Sequence, residues 1–485
     1  MTMVKKRIKP LLAALVALFF ATFMAGTSVD AASKPNYVIS TDATYAPFDF
    51  QDKNNQYVGI DMDILKEVAK RNNFTYTLKP MSFNAAAQMV ANGQADGIIA
   101  GMMINDSRKE VYDVSTPYYQ SGVAWITKPN SSIKSLDDLK GKTVALKTGT
   151  AAANYGASLK DKYGFKVKYF NDTDTMYNDV VNGNTAATFE DYPVIQYAIK
   201  NGVKLQVRNP KDLGNAGGVG FFVKKGENAQ LLSQFNTTLA AMKKDGTYDK
   251  IINKYLNASQ STFVGSEKDN KTTWGILKSN QHAFWEGLLQ TAILTIAGIV
   301  LASLWGLLLG IMGISEWKFL RGLSTTIIYA FRGLPLMVLA FFIYIGLPGV
   351  IGMKIPAFTA GLLTLILNEG AYTGAFVRGG FESVDVGQME AARSLGLTHR
   401  QAIWKVIVPQ GLKITVPSFV NQFIITLKDT SILSAIGILE LTQTGTLIVA
   451  RNSQGFRVWA IIAAIYLIVI TLLTWFSNWL KKKIA

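Results

Sequence analysis

Ionisable residues interrupt segments that are otherwise apolar: Arg332, Glu369 and the adjacent Lys428 and Asp429. A charge at that depth marks a functional position by default, because removal from water is costly without a polar path or a partner. Gating, a structural role and contact with a passing polar solute all stay open for these residues. Lys428 and Asp429 project about 100° apart on a helix and need not pair with each other. Arg332, near an interface, can carry its guanidinium out to water. A second group is Glu390-Ala391-Ala392, then Gly396, then Val406-Ile407-Val408-Pro409. These residues suit a short helix that seats in another protein's cleft. Small Ala391 and Ala392 permit close approach, Gly396 ends the helix in a left-handed conformation, and Pro409 opens the next segment, where no backbone donor is needed. An amphipathic surface helix is the plainer reading.

Other chemistry is excluded or weak. The chain has no cysteine, so disulfides, thiolate metal sites and a cysteine nucleophile are excluded, as is a lipid-modified cysteine anchor. With only His282 and His399, a histidine-rich metal site is not expected, and no metal or cofactor is. Gly141-Lys142-Thr143 imitates the end of a phosphate-binding loop, but that loop needs a glycine where Leu136 stands. No enzyme is expected; ATP hydrolysis, if used, must come from another subunit.

The elements that position these residues fall into two halves. Over 485 residues, 49% are hydrophobic and 17% charged, which fits a mixed soluble and membrane chain. The net charge of +16 does not point to nucleic acid, because the basic residues near the apolar segments gather on one side of them. Residues 1–31 read as a signal peptide: Lys5, Lys6, Arg7 and Lys9, then an apolar run, then small residues at Val29-Asp30-Ala31. An uncleaved anchor is the alternative. Residues 36–256 alternate short strands with amphipathic helices, an α/β pattern. Residues 257–273 are polar and aperiodic, a linker. Residues 280–485 form an all-α membrane domain of about five transmembrane helices, near 287–315, 322–347, 356–377, 413–436 and 458–480. The positive-inside bias puts the soluble half outside the cell membrane and the 388–410 loop in the cytoplasm.

The whole chain resembles a polar-amino-acid importer subunit of the ABC class, glutamine-type, with substrate-binding protein and permease fused. FRGLPL (331–336), FFIYIGLP (341–348), SVDVGQMEAARSLG (383–396) and LKDTSILSAIG (427–437) resemble the permease signature. Residues 383–396 resemble the EAA loop, so Glu390, Ala391, Ala392 and Gly396 are implied to dock a separate ATPase. STDATYAPFDF (40–50), GIDMDI (59–64), residues 99–122, ALKTGTAAANY (145–155) and FEDYPVIQYAI (189–199) resemble the two-lobed binding proteins of type II. In that fold two lobes close over one ligand, with crossovers expected near 119–122 and 217–222.

The resemblance implies an amino-acid zwitterion as ligand. Arg108 is expected to take the α-carboxylate in a bidentate pair, helped by the backbone donors of Gly101 and Met103, and Asp191 to pair with the α-ammonium. Tyr45 and Phe83 are expected to sandwich the aliphatic part. Asp42, Lys147 and Thr150 lie where the family reads the side chain. Met103 stands where relatives usually have a hydroxyl residue, Ala151 where glutamine binders often have glycine, and Glu190 precedes Asp191. Glutamine is the favoured ligand; glutamate or a basic amino acid stays open. A homodimer of permease halves in a single-membrane bacterium, with lipid around it, completes the implied assembly. Three other functions compete with this one. A ligand-gated channel needs a filter motif such as TVGYG, which is missing. An enzyme on this fold would use Arg108 and Asp191 for chemistry. A sensor needs a cytoplasmic module, and only residues 481–485 follow Leu480.

Overall fold

The computed structural model describes residues 34–257, 272–452 and 454–484. The expected signal peptide and nearly all of the expected linker lie outside them. The first lobe is built from β1 (Asn36–Thr41), β2 (Thr44–Tyr45), β3 (Asp49–Gln51), β4 (Tyr57–Val58), β5 (Thr75–Pro80), β6 (Gly97–Ile98) and β7 (Tyr112–Val114). The second carries β8 (Tyr119–Thr127), β9 (Thr143–Lys147), β10 (Lys166–Phe170), β11 (Ala187–Asp191), β12 (Gln206–Val207) and β13 (Gly214–Val219). With β14 (Phe222–Lys224) the chain returns to the first sheet. The sheet orders are β5-β1-β6-β14-β7 and β10-β9-β11-β8-β12, with β13 also on β8.

The two crossovers, β7 to β8 and β13 to β14, fall where the sequence placed them. Within each lobe, parallel pairs such as β1 with β5 and β9 with β10 are separated by helices, as right-handed crossover connections require. The helix Ile60–Arg71 shows why the pattern folds this way. Ile60, Ile64, Leu65 and Val68 form one buried stripe at helical spacing. Lys70 and Arg71 end it, where cations suit the helix dipole.

In the second half, Gln281–Gly313 is one helix of 33 residues, about 50 Å long at the usual rise. One face is exposed and apolar at helical spacing: Trp285, Leu289, Ile293, Ile296, Val300 and Leu304. The other packs on Ala357–Glu382 through small residues. A Cβ on Gly306 would lie 2.6 Å from the Thr373 side chain, and one on Gly310 2.4 Å from Val377. Such close backbone approach is how helices associate where no hydrophobic drive separates them from lipid.

The five expected spans take a more broken form. Gln281–Gly313 and Gly455–Trp475 are each long and apolar enough to cross a membrane. Two further candidates are bent pairs: Lys318–Gly333 with Leu336–Ile351 at 102°, and Asn421–Ile436 with Leu441–Asn452 at 50°. Pro335 explains the sharper bend, since it cannot donate to a continuing helix. Pro409 stands in the first turn of the α-helix Val408–Asp429, as expected, and that helix continues directly from a wider helical turn, Ile403–Ile407.

Candidate functional site

The site lies between the lobes, and strand ends deliver its side chains. Tyr45 ends β2, Asp42 follows β1, Lys147 ends β9 and Asp191 ends β11. Tyr45, Lys147 and Asp191 are the last paired residues of their strands and Asp42 lies just beyond one, so each stands where a sheet edge meets the cleft. Tyr45, Phe83, Gly101, Met103, Arg108, Lys147, Thr150, Ala151 and Asp191 line one small cavity of about 10 Å³. Water barely fits such a space, so the lobes must part to admit any larger solute.

Contacts across the cleft hold the lobes closed. Lys147 forms an ion pair with Asp42, and both side chains are 2% exposed. Arg108 Nη2 donates to the Gly149 carbonyl at 2.9 Å, and its Nη1 to the Met103 carbonyl. The Tyr45 hydroxyl bonds Asp191 at 2.7 Å and Glu190 at 3.0 Å. A Cβ on Gly149 would fall 1.8 Å from Asn84 Oδ1 of the facing lobe, so only glycine permits this approach. Aromatic faces complete the walls: Arg108 stands 5.3 Å from the Phe83 ring centre and Lys147 4.8 Å from that of Tyr45.

Several expected roles change in detail. The Gly101 N–H is already taken, donating to Asp61 Oδ2 at 2.6 Å; Gly101 lines the cavity without offering that donor. The Thr150 hydroxyl caps the helix Ala151–Ser158 and donates to the Lys147 carbonyl, so both of these bonds support the site. Met103 is a buried wall residue whose carbonyl orients Arg108. Asp191 sits at the helix cap before Tyr192 but makes no cap bond with its side chain, which turns into the cleft.

Asp61 is the residue that sequence reasoning missed. It is fully buried in the first turn of its helix and bonds Gly101 N and the Tyr118 hydroxyl. Burial pushes its carboxyl up to about 7, against those two hydrogen bonds. A carboxylate inside the GIDMDI run, on the buried face of an amphipathic helix, was the available signal. Burial likewise pushes Glu190 up to about 7, with the charge of Asp191 adding to it. Burial raises Asp191 to about 6, opposed by Tyr45, Arg108 and Lys147. For Lys147 burial opposes the charge, but Asp42, with Glu190 and Asp49 behind it, outweighs burial and the ammonium is held above its ordinary value.

The first lobe rests on the helical half. Met81, Phe83, Met89 and Ile98 share one apolar cluster with Leu339, Ile343, Tyr344, Leu433 and Ile436. Lys354 pairs with Asp96 at 3.0 Å. Between the mouth of the cleft and the helices lies a chamber of about 620 Å³, lined by Asp42, Thr44, Asn84 and Asp172 on one side and Phe341, Ser434 and Gln443 on the other. Deeper in the helices, Glu369 is buried and accepts from Gln422, and Asn368 donates to the Phe331 carbonyl at 2.9 Å. Arg332 is exposed and stands 4.9 Å from the Tyr372 ring centre, and Asp429 lies beside Glu369.

At the opposite end of Gln281–Gly313 is the helix Val386–Ser394, capped by Asp385 and followed by Gly396 at φ +80°. His399, at the start of the next turn, reaches Glu316 at 3.5 Å. Glu390, Ala391 and Gly396 are exposed, as are Val386 and Leu395. Ala392 is buried in its own chain at 5% exposure and cannot seat in a partner as expected. Consecutive helical residues diverge by about 100°, and here Ala391 faces outward while Ala392 faces its own chain.

Residues 37–258 match the family of bacterial extracellular solute-binding proteins, family 3. Residues 295–485 match the family of binding-protein-dependent transport system inner membrane components. The probable glutamine transporter permease GlnM of Bacillus subtilis is 32% identical over 209 residues, 43% of this chain and 96% of that one. The ABC transporter arginine-binding protein 1 of Escherichia coli is 32% identical over 247 residues, 50% of this chain and 97% of that one. The chain belongs to both families. It is a solute receptor and a permease fused in one polypeptide. Among solved structures, substrate-binding domain 2 of Lactococcus lactis GlnP in its open conformation is 42% identical, with 48% of this chain and all of that one covered and a TM-score of 0.36. The permease family makes this a membrane protein, and the apolar helices agree.

Proposed function

We propose that the chain is the receptor and permease subunit of an amino-acid importer of the ABC class, with glutamine as its solute. Residues 36–256 form the receptor outside the membrane, 257–273 link it, and 280–485 form the pathway. The observation that carries this reading is that Arg108 and Asp191, unpaired with each other, line one cavity between the lobes. A guanidinium at one end and a carboxylate at the other match a zwitterion's two charges, and ionised Asp191 suits an α-ammonium. Closure belongs to the ligand-bound state, so the ligand shifts a population that the interlobe contacts already favour. Release into the chamber over the helices then brings the solute to the pathway.

The receptor and the Glu390 helix lie at opposite ends of the longest helix, which supports a receptor outside and an ATPase inside. The exposed Val386, Glu390, Ala391 and Leu395 offer that separate ATPase its docking surface. Two copies pair to enclose one path, and the ATPase supplies the energy. Glutamine is favoured by the name of the permease relative. A second reading, arginine, is favoured by the receptor relative's name and by Glu190, which has one buried carboxylate oxygen without a partner among the described residues.

Titration calorimetry on the full chain with the twenty amino acids tests both readings. Tight binding of glutamine supports the first, and preference for arginine supports the second. No binding of any amino acid overturns both.

A further inference from the structure

A buried arginine joins the two halves. Arg451 ends the helix Leu441–Asn452 and is 7% exposed. Its guanidinium donates to the Asp52 carbonyl and to Asn55 Oδ1 (3.2 Å), both in the turn between β3 and β4 of the first lobe. It also donates to Asn280 Oδ1, at the start of Gln281–Gly313. Among the described residues no carboxylate forms an ion pair with it, and its Nε has no partner. A buried cation whose hydrogen bonds all go to neutral oxygens is expensive, and the Asp52 carboxylate offsets this only from a distance, without an ion pair. An arginine that served the helical half alone would have found its acceptors there. Here the receptor provides two of them.

The same helix end meets the second lobe. A Cβ on Gly455 would lie 3.4 Å from Asn178 Nδ2, in the helix Thr173–Val181. A crevice of about 40 Å³ is lined by Thr44 and Phe50 of one lobe, Thr173 and Tyr177 of the other, and Ala450 and Arg451. Both lobes meet this helix end in the closed arrangement, and parting them separates its contacts.

We infer that Arg451 is the positioning residue that holds the chain's own closed receptor over the permease, with Asn280 tying that hold to the first long helix. The inference rests on the receptor and permease reading above. Neutral acceptors make the hold reversible: when the receptor leaves, water replaces the lost oxygens, and a neutral hydrogen bond nets little. The exposed pair of Lys354 and Asp96 adds little by itself, as surface ion pairs do.

The cysteine-free chain makes a direct test possible. Asn92→Cys and Gly349→Cys place thiols on receptor and permease, where a Cβ on Gly349 would lie 3.9 Å from Asn92 Oδ1. Oxidation of the full chain in nanodiscs, with a protease site in residues 257–273, reports docking as the fraction of linked halves. Arg451→Ala is expected to lower that fraction about tenfold. Asn55→Gly should do the same, since Asn55 already has φ +60° and glycine keeps the turn. The double variant should be no worse than either alone, and Arg451→Lys should restore part. Glutamine titrations on the same preparations should still show binding, weakened by no more than the docking is, because a hold on the closed receptor and ligand closure are linked. Undiminished cross-linking in Arg451→Ala, or additive losses in the double variant, overturns the inference. If the parent chain binds no glutamine, the solute assignment fails while the cross-link fraction still decides Arg451.

Discussion

The Lys147 ammonium of the second lobe and the Asp42 carboxylate of the first form an ion pair from which solvent is almost excluded. The pair exists only while the lobes are closed, since its members belong to different sheets. Removing one member leaves the other buried and unpaired, which costs about 3–5 kcal/mol. Lys147→Met should therefore favour the open state and weaken ligand binding by roughly tenfold or more. Asp42→Asn combined with Lys147→Met should recover part of the loss. Paired spin labels on cysteines introduced in each lobe would follow the distance distribution. An unchanged distribution in Lys147→Met would show that the pair does not hold the cleft.

Arg108 is poised by two carbonyls, one in each lobe. A ligand carboxylate would replace neutral acceptors with a charged one, a stronger bond. Truncation of a charged partner costs roughly 2–5 kcal/mol, so Arg108→Ala should weaken binding about 30-fold or more. Arg108→Lys should be intermediate, because lysine cannot make the bidentate fork. Calorimetry on the full chain checks both, and near-normal affinity in Arg108→Ala removes the carboxylate role.

The raised carboxyls make binding depend on pH. Burial lifts Asp191 to about 6 and Glu190 to about 7, and the two titrate as a pair with the Tyr45 hydroxyl between them. Holding an ammonium requires an ionised carboxylate, so the ligand-bound pair has lower pKa values than the free pair. Binding then releases protons below about pH 7, and affinity falls as the pH falls. Between pH 8 and pH 5.5 the dissociation constant should rise by up to about tenfold per released proton and pH unit. Calorimetry in buffers of different ionisation enthalpy measures that proton release. Affinity that is flat or rises on acidification would remove Asp191 as the ammonium partner.

The exposed Glu390 supports a prediction at the other end of the molecule. Glu390→Lys reverses a charge on the proposed ATPase surface without touching the receptor. Solute binding should stay as it was, while ATP-driven uptake falls to background. Transport at the parent rate would move the docking surface away from this helix.

Much of the architecture could be read from the sequence, because each lobe obeys local rules. Apolar runs with the right period gave strands and helices, and the two crossovers fell between matching segments. The spans were harder: Pro335 breaks the 322–347 segment by a sharp bend, which a window of hydropathy averages away. Of the site, Arg108, Asp191, Tyr45, Phe83 and Lys147 line one cavity. The finer roles depended on competition for hydrogen bonds, which spacing does not reveal. Gly101 gives its N–H to Asp61 and Thr150 caps a helix. Ala392 turned inward while its neighbour Ala391 stayed exposed, a choice of face that the motif's spacing does not reveal. The hold on the receptor by Arg451 joins residues 396 and 399 positions apart in the chain, beyond any local pattern.

The central claim is that this chain receives an amino acid and passes it through its own helices. Reconstitution of the full chain with a cognate ATPase in proteoliposomes, with labelled glutamine outside and ATP inside, tests it most directly. The account predicts accumulation against a gradient that requires ATP and is lost in Arg108→Ala and in Glu390→Lys. Equilibration without ATP, or no uptake of any amino acid that the receptor binds, would contradict it.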